Sequence, residues 1–154
     1  MAAAPRAVVR VQAEDFSPGA ELDALQARAV CAGGLGSFIG VVRSNAARPI
    51  IAMTLEHYPA MTGVAIEAIV AEAETRFSLL GCTVIHRFGR LLPGDRIVFV
   101  AVAAAHRRAA LDATGFLIDW LKTKAPFWKR EELADGRACW VEAVEQDEMD
   151  AARW

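Results

Sequence analysis

Apolar positions recur along this chain with two periods, and the switches between them outline its elements. Ala7 to Val11 alternates weakly and predicts a first strand. Ser17-Pro18 reads as an N-cap followed by proline at the first helical position. Leu22, Leu25 and Ala29 then share one helical face, up to a stop at Gly33-Gly34. Leu35 to Arg43 predicts a strand that carries Gly36 and Gly40. Glycine inside a strand marks a bulge or a close backbone approach, by a packed neighbour or by a ligand. Ser44 to Pro49 is a polar loop carrying Arg48, and Ile50 to His57 alternates again. In that run Ile51, Met53 and Leu55 fall on one face, and Ala52, Thr54 and Glu56 on the other.

Tyr58-Pro59 breaks the strand. Ile66, Ile69, Val70, Ala73 and Phe77 then repeat at helical spacing, with Gly81 as the predicted stop. Thr83 to Phe88 and Arg96 to Ala103 predict two strands, the second apolar enough to be central. Leu92-Pro93-Gly94-Asp95 between them is a turn: proline presets φ and glycine permits φ > 0. A long helix opens at His106-Arg107-Arg108, with Ala110, Ala113, Leu117, Trp120 and Leu121 as its buried stripe. Asp135-Gly136 is a turn, Ala138 to Glu142 a short strand, and the charged tail from Val144 a short helix or a frayed end. The order β-α-β-β-α-β-β-α-β predicts one α+β domain over residues 1–154 with a mixed, mostly antiparallel sheet.

Hydrophobic residues make up 55% of the chain and charged ones 23%, which fits a globular protein with a real core. A net charge of −2 argues against nonspecific nucleic-acid binding, so any anion site must be a local cluster. No run approaches the ~20 apolar residues of a membrane span. The first six residues turn polar too quickly for a signal peptide, so a cytoplasmic protein is expected. Cys31, Cys82 and Cys139 are widely spaced, with no metal-ligand spacing, and read as small buried hydrophobes in a reducing compartment. No strand–helix junction carries a Gly-rich phosphate loop.

The densest chemistry lies in Leu121 to Glu131, where Lys122, Lys124, Lys129 and Arg130 surround Pro126, Phe127 and Trp128. Proline ends the preceding helix, so Lys122 and Lys124 fall near its C-terminus, where the dipole favours cations. The same corner also suits an anion site. His106 and Arg107 sit at a helix start, where cations are disfavoured and anions bind readily. Arg43 ends a strand and Arg130-Glu131 suits a surface ion pair. Trp120 and Trp128 read as core or interface anchors, and His57 and His86 as structural. No Ser-His-Asp pattern and no close carboxylate pair is present, so the chain is a binder or an enzyme whose reactive group arrives from outside.

A series of segments carries a resemblance: Phe38 to Arg43, Leu55-Glu56-His57-Tyr58-Pro59-Ala60-Met61, Ile85 to Gly89, Pro93-Gly94-Asp95, Ala105-His106-Arg107 and Leu121 to Glu131. In this order, from about Val8 to Glu142, they resemble the catalytic (large) subunit of molybdopterin synthase. The resemblance implies an α/β hammerhead-type fold. It also implies a homodimer with a small ubiquitin-like sulfur-carrier subunit at each end. The implied reaction installs a dithiolene on cyclic pyranopterin monophosphate, with sulfur from a thiocarboxylate on the carrier's C-terminal glycine. Neither a cofactor nor a metal is implied, since molybdenum enters after the dithiolene exists.

By motif, the implied site residues are Arg43, His106, Arg107, Lys122, Lys129, Arg130 and Glu131. Lys122 suits the anionic carrier tail and developing negative charge, and Lys129 assists substrate binding or proton transfer. Val41 departs from the family pattern, where some relatives carry lysine, and Arg48 is a candidate to compensate. Arg107 and Lys122 lie fifteen positions apart on one predicted helix, about 22 Å end to end. The expectation is therefore a site shared between two subunits. The competing reading is a non-catalytic module that binds a phosphorylated ligand or an acidic tail at the same basic cluster.

Overall fold

The most apolar strand organises the molecule. In the computed structural model, which describes residues 6–141 and 145–154, β6 (Arg96–Ala104) lies inside a four-stranded sheet and is buried from Val98 onward. The sheet order is β1 (Ala7–Gln12), β4 (Gly81–Arg87), β6 and β2 (Gly34–Val41). Strand β6 runs antiparallel to β4 and β2, while β1 and β4 are parallel. Alternation along β6 splits the core in two. Val98, Val100, Val102 and Ala104 face α2 (Thr62–Phe77) and α3 (Arg107–Thr123). Phe99, Ala101 and Ala103 face α1 (Pro18–Arg28), where Leu25 is fully buried.

The second sheet has the order β5 (Gly89–Leu91), β3 (Ile50–His57), β7 (Phe127–Leu133) and β8 (Ala138–Val141), with antiparallel pairing throughout. Its small core joins Met53, Leu55, Leu91 and Leu133 to Val42 and Ile97 beside the first sheet. Helix α4 (Glu145–Ala152) packs on α3. The α+β class, the mixed and mostly antiparallel pairing and the central β6 are as predicted. Two strands were not predicted. Strand β5 has only three residues, and β7 carries Lys129-Arg130-Glu131-Glu132, a run that reads as solvated surface until its partners are known. The predicted strand Ala138 to Glu142 and the predicted start of the tail at Val144 touch residues 142–144, which lie outside the described residues, as do residues 1–5 of the amino terminus.

Local differences have local causes. Met53 and Leu55 are buried as predicted, but Ile51 is half exposed and Ala52 buried, because the β3–β7 register slips between Ile50 and Ala52. Helix α2 ends on Ser78 in the left-handed region at φ 52°, and Gly81 instead opens β4. Helix α1 is capped by the Ser17 side chain as expected, but it ends at Arg28. Gly33 then serves a close approach: a Cβ there would meet the Ala105 carbonyl oxygen at 2.1 Å. The turn at residues 92–95 forms with Gly94 at φ 92° and the Asp95 carboxylate accepting from the Leu92 N–H at 2.8 Å. Of the cysteines only Cys82 is buried, and burial pushes its thiol up to about 12. Cys139 is partly buried, and Cys31 is exposed just past α1, so the expectation of three buried hydrophobes fails there.

Strand β2 meets α3 through Gly36, where an added Cβ would lie 2.6 Å from both the Ala110 carbonyl oxygen and Thr114 Oγ1. Helix backbone cannot yield as a side chain can. Gly36→Ala is expected to lower the urea midpoint by the equivalent of about 1–3 kcal/mol. An unchanged midpoint would show that α3 can move off the sheet freely.

Candidate active site

Helix α3 delivers the first lysine. Leu121 is buried and anchors its last turn, which leaves neighbouring Lys122 exposed at the helix end. The Lys124 N–H closes the helix on the Trp120 carbonyl at 2.8 Å, and Phe127 N–H bonds Ala125 O at 2.8 Å across Pro126. This tight corner turns the chain into β7. Period two then separates its side chains: Lys129 and Glu131 take one face, Trp128, Arg130 and Glu132 the other. Lys129 pairs with Leu55 of β3 and Val141 of β8.

Lys122 and Lys129 line one cleft of about 390 Å³ between the two sheets. Its walls are largely apolar: Phe38, Ile39 and Val41 from β2, Met53 and Leu55 from β3, and Ile118 from α3. Asp147 of α4 supplies a carboxylate, and His86 of β4 lies in the floor. Apolar walls raise the worth of the lysine charges by lowering the local dielectric. Lys129 is held below the ordinary lysine range, first by burial, with Lys122 and Arg48 pushing the same way. Glu131 and Asp147 oppose that shift.

The remaining site candidates divide. Glu131 sits one register step along β7 from the cleft, with Arg48 Nε 3.2 Å from its Oε2. That separation suits an ion pair, but the alignment is not that of a hydrogen bond, and Oε2 has no other protein partner among the described residues. Arg48 also donates to Cys139 Sγ at 3.0 Å. It therefore engages Glu131 and Cys139 and does not line the cleft where Val41 stands. Arg130 lies on the opposite face of β7, with its guanidinium 6.0 Å from the Trp140 ring. Arg43, exposed, follows Val42, whose backbone is tied to Gly94 and Asp95. His106 and Arg107 are at the far end of α3, around an open hollow of about 600 Å³ lined also by Gly33 and Ala105. His106 is the N-cap in extended geometry with no side-chain capping bond, which leaves the first helical N–H groups for an anion. One chain thus brings Lys122 and Lys129 together, keeps Glu131 close, and holds Arg43, His106, Arg107 and Arg130 out of that cleft.

Two residues that line the cleft, His86 and Asp147, were not among the expected site residues, His86 being read as structural. Strand β4 is buried on both faces, so alternation gives no sign of which side His86 takes. Asp147 stands in an acidic tail where nothing distinguishes it from Glu145 or Glu148. His57 fits its structural reading, packed with its ring centroid 4.4 Å from that of Phe88 at a 35° tilt. Trp120 packs on the main core, while Trp128 is about half exposed beside Tyr58.

His86 stacks on Phe127 with ring centroids 3.7 Å apart, and its Nδ1 is 2.8 Å from the Arg87 carbonyl oxygen. Burial pushes the imidazole down to about 4; the Arg87 hydrogen bond opposes this, and Lys122 and His57 add to it. The unfolded chain therefore binds a proton that the folded ring refuses. Stability should be unaffected above the ordinary histidine pKa of about 6.5 and fall as pH drops through the window down to about 4. The full loss is about 3 kcal/mol. Urea midpoints across that window should show the fall in the native chain and not in His86→Phe. Equal slopes in both would remove His86 as the cause.

In this α+β, hammerhead-type domain the cleft brings two lysines together between apolar walls, a local concentration of positive charge. Comparisons with known proteins specify the class. The MoaE protein family matches residues 11–124. The molybdopterin synthase catalytic subunit of Pseudomonas aeruginosa is 50% identical over 147 residues, covering 95% of this chain and 97% of that one. The solved MoaE protein of Burkholderia ambifaria, at 46% identity, superposes with a TM-score of 0.82 over 96% of this chain and 97% of the other. A more distant structure shares the fold alone. It is a complex of subunits 1 and 2 of the molybdopterin-converting factor from Helicobacter pylori, with TM-score 0.66, 19% identity and 92% of each chain covered. This chain belongs to the MoaE family, whose relatives named above include a molybdopterin synthase catalytic subunit. Among the described residues no helix is long and apolar enough to cross a membrane.

Proposed function

We propose that this chain is the catalytic subunit of a cytoplasmic molybdopterin synthase. It moves sulfur from the C-terminal thiocarboxylate of a small ubiquitin-like carrier to cyclic pyranopterin monophosphate, and so builds the molybdopterin dithiolene. The observation that carries this reading is the convergence of Lys122 and Lys129 in one apolar-walled cleft. Both reactants are anionic, and preorganised cations in an apolar-walled cleft stabilise negative charge that develops during transfer. Lys122, on the exposed rim, holds the carrier's terminal group. Lys129 is deeper and held below the ordinary lysine range by burial, which suits it to substrate contact or proton transfer. As each sulfur leaves, water completes the carrier's terminus as a carboxylate. The reactive sulfur arrives on the carrier, so neither a cysteine of this chain nor a metal is called on.

The phosphate of the substrate needs a second cluster. His106 and Arg107 supply one at an open helix N-terminus, and Arg43 a further guanidinium. They lie about 22 Å from Lys122 along α3, too far for one pocket in one chain. A homodimer that sets α3's N-terminal end against the lysine cleft of the second copy completes each site. Glu131 orders the neighbourhood of Lys129, and Arg130 stands on the opposite face of β7 beside Trp140. Native mass spectrometry with a thiocarboxylated carrier tests the assembly. Two copies of this chain with two carriers are expected, with weaker binding once the carrier's terminal glycines are removed. A monomer that ignores the carrier would overturn the reading.

A further inference from the structure

His86 has a feature that the reaction as described does not use. Its Nδ1 faces the Arg87 carbonyl oxygen at 2.8 Å, and a carbonyl oxygen only accepts, so the ring proton sits on Nδ1. The ring is neutral, because burial disfavours a second proton. Nε2 therefore carries a lone pair. Stacking on Phe127 at 3.7 Å with an 18° tilt fixes the ring plane, so the direction of that lone pair is fixed too. Among the described residues Nε2 has no protein partner, although His86 lines the cleft that holds Lys122 and Lys129. Its neighbours on β1 and β6 are Val11 and Val98, which offer no proton. Of the two charged or titratable groups acting on the ring, Lys122 from α3 outweighs His57 from β3.

On the other side, the Lys122 ammonium has three N–H donors and no ion pair among the described residues. While the cleft is wet, water serves both groups. When an anionic reactant fills the cleft and expels that water, it accepts from some of the Lys122 N–H groups, while a remaining N–H without an acceptor and an imidazole nitrogen without a donor both become costly. We propose that His86 is a positioning residue for sulfur transfer: its Nε2 accepts a hydrogen bond from the Lys122 ammonium in the filled cleft and aims the lysine's other N–H groups at the reacting centre. This inference rests on the reading of the cleft as the sulfur-transfer site. It assigns the His86–Phe127 stack a task beyond packing. A rigid neutral acceptor orients Lys122 without drawing off its charge, as a carboxylate in the same place would.

The test uses the complete synthase with its thiocarboxylated carrier, and follows product formation against pterin concentration. His86→Phe keeps an aromatic ring on Phe127 and removes the acceptor; His86→Leu is a second acceptor-free form should phenylalanine crowd the floor. Both are expected to lower kcat about tenfold to a hundredfold, with KM for the pterin within about twofold. His86→Gln, which restores an acceptor, is expected to recover most of the loss, an outcome that a purely packing role does not produce. Wild-type kcat in either acceptor-free form, or His86→Gln as slow as they are, would overturn the inference. Lys122→Ala runs alongside: if it turns over at the wild-type rate, the reading of the cleft fails as well. If only the His86 variants are silent, the cleft stands and the positioning role falls.

Discussion

Replacing Lys122 with alanine is expected to lower the rate of dithiolene formation about a hundredfold to a thousandfold and to leave folding unchanged. The two halves of that expectation have different origins. Lys122 is exposed, in the last turn of α3, and it makes no ion pair among the described residues, so its removal opens no cavity and strands no partner. Substitutions of this kind shift stability by roughly 0.5 kcal/mol or less. Its role lies in the cleft, where apolar side chains from β2, β3 and α3 lower the dielectric around its charge. A cation aimed at developing negative charge in such a place contributes far more to the transition state than to the ground state. The loss should therefore appear in kcat, with pterin KM changed little. Lys122→Arg should not restore the rate, because a planar fork cannot replace a compact ammonium at the same position. Carrier consumption and product formation, measured on the same samples, check this. A Lys122→Ala enzyme within tenfold of wild type would remove the lysine from the chemistry.

The second large effect concerns two parents that are each nearly inactive. His106→Ala removes the cluster at the start of α3, and Lys122→Ala removes the one at its end. If each site takes its phosphate-binding half from one copy and its lysines from the other, a dimer with one chain of each kind holds one site with both defects and one site with neither. Mixed dimers should then regain about half of wild-type activity per dimer, from parents that are down about a hundredfold or more. If the site lay within one chain, both sites of the mixed dimer would stay defective. The separation along α3 is what makes the first outcome expected: a continuous helix cannot fold its ends together. Refolded or co-expressed mixtures, resolved by a tag on one parent, give the measurement.

Much of this arrangement was legible in the chain, for identifiable reasons. Helix α3 announced itself through Ala110, Ala113, Leu117 and Leu121, and Pro126 located its end, so the corner carrying Lys122 was fixed before its surroundings were known. Strand β6 was legible because a continuous apolar run has few other uses. Strand β7 was not legible, because its alternation is of one charged residue with another, and which charges face inward is decided by β3 and β8. That is why Lys129 and Arg130, adjacent in sequence and grouped together on the resemblance, stand on opposite faces. His86 was hidden for the opposite reason: buried on both sides, its strand carries no polarity signal at all. Asp147 reaches the cleft only through the packing of α4 on α3, which Trp154 helps to hold by donating from Nε1 to Asp119 at 2.5 Å. No local pattern encodes that contact.

The central claim is that the Lys122–Lys129 cleft transfers sulfur. The mass of the pterin after incubation with this chain, thiocarboxylated carrier and cyclic pyranopterin monophosphate tests it most directly. The expected product carries two sulfur atoms, with two carriers converted to their carboxylate form for each pterin. A pterin that binds along with the carrier and comes out at its starting mass would contradict it, and would make the chain a module that holds the two anions without reacting them.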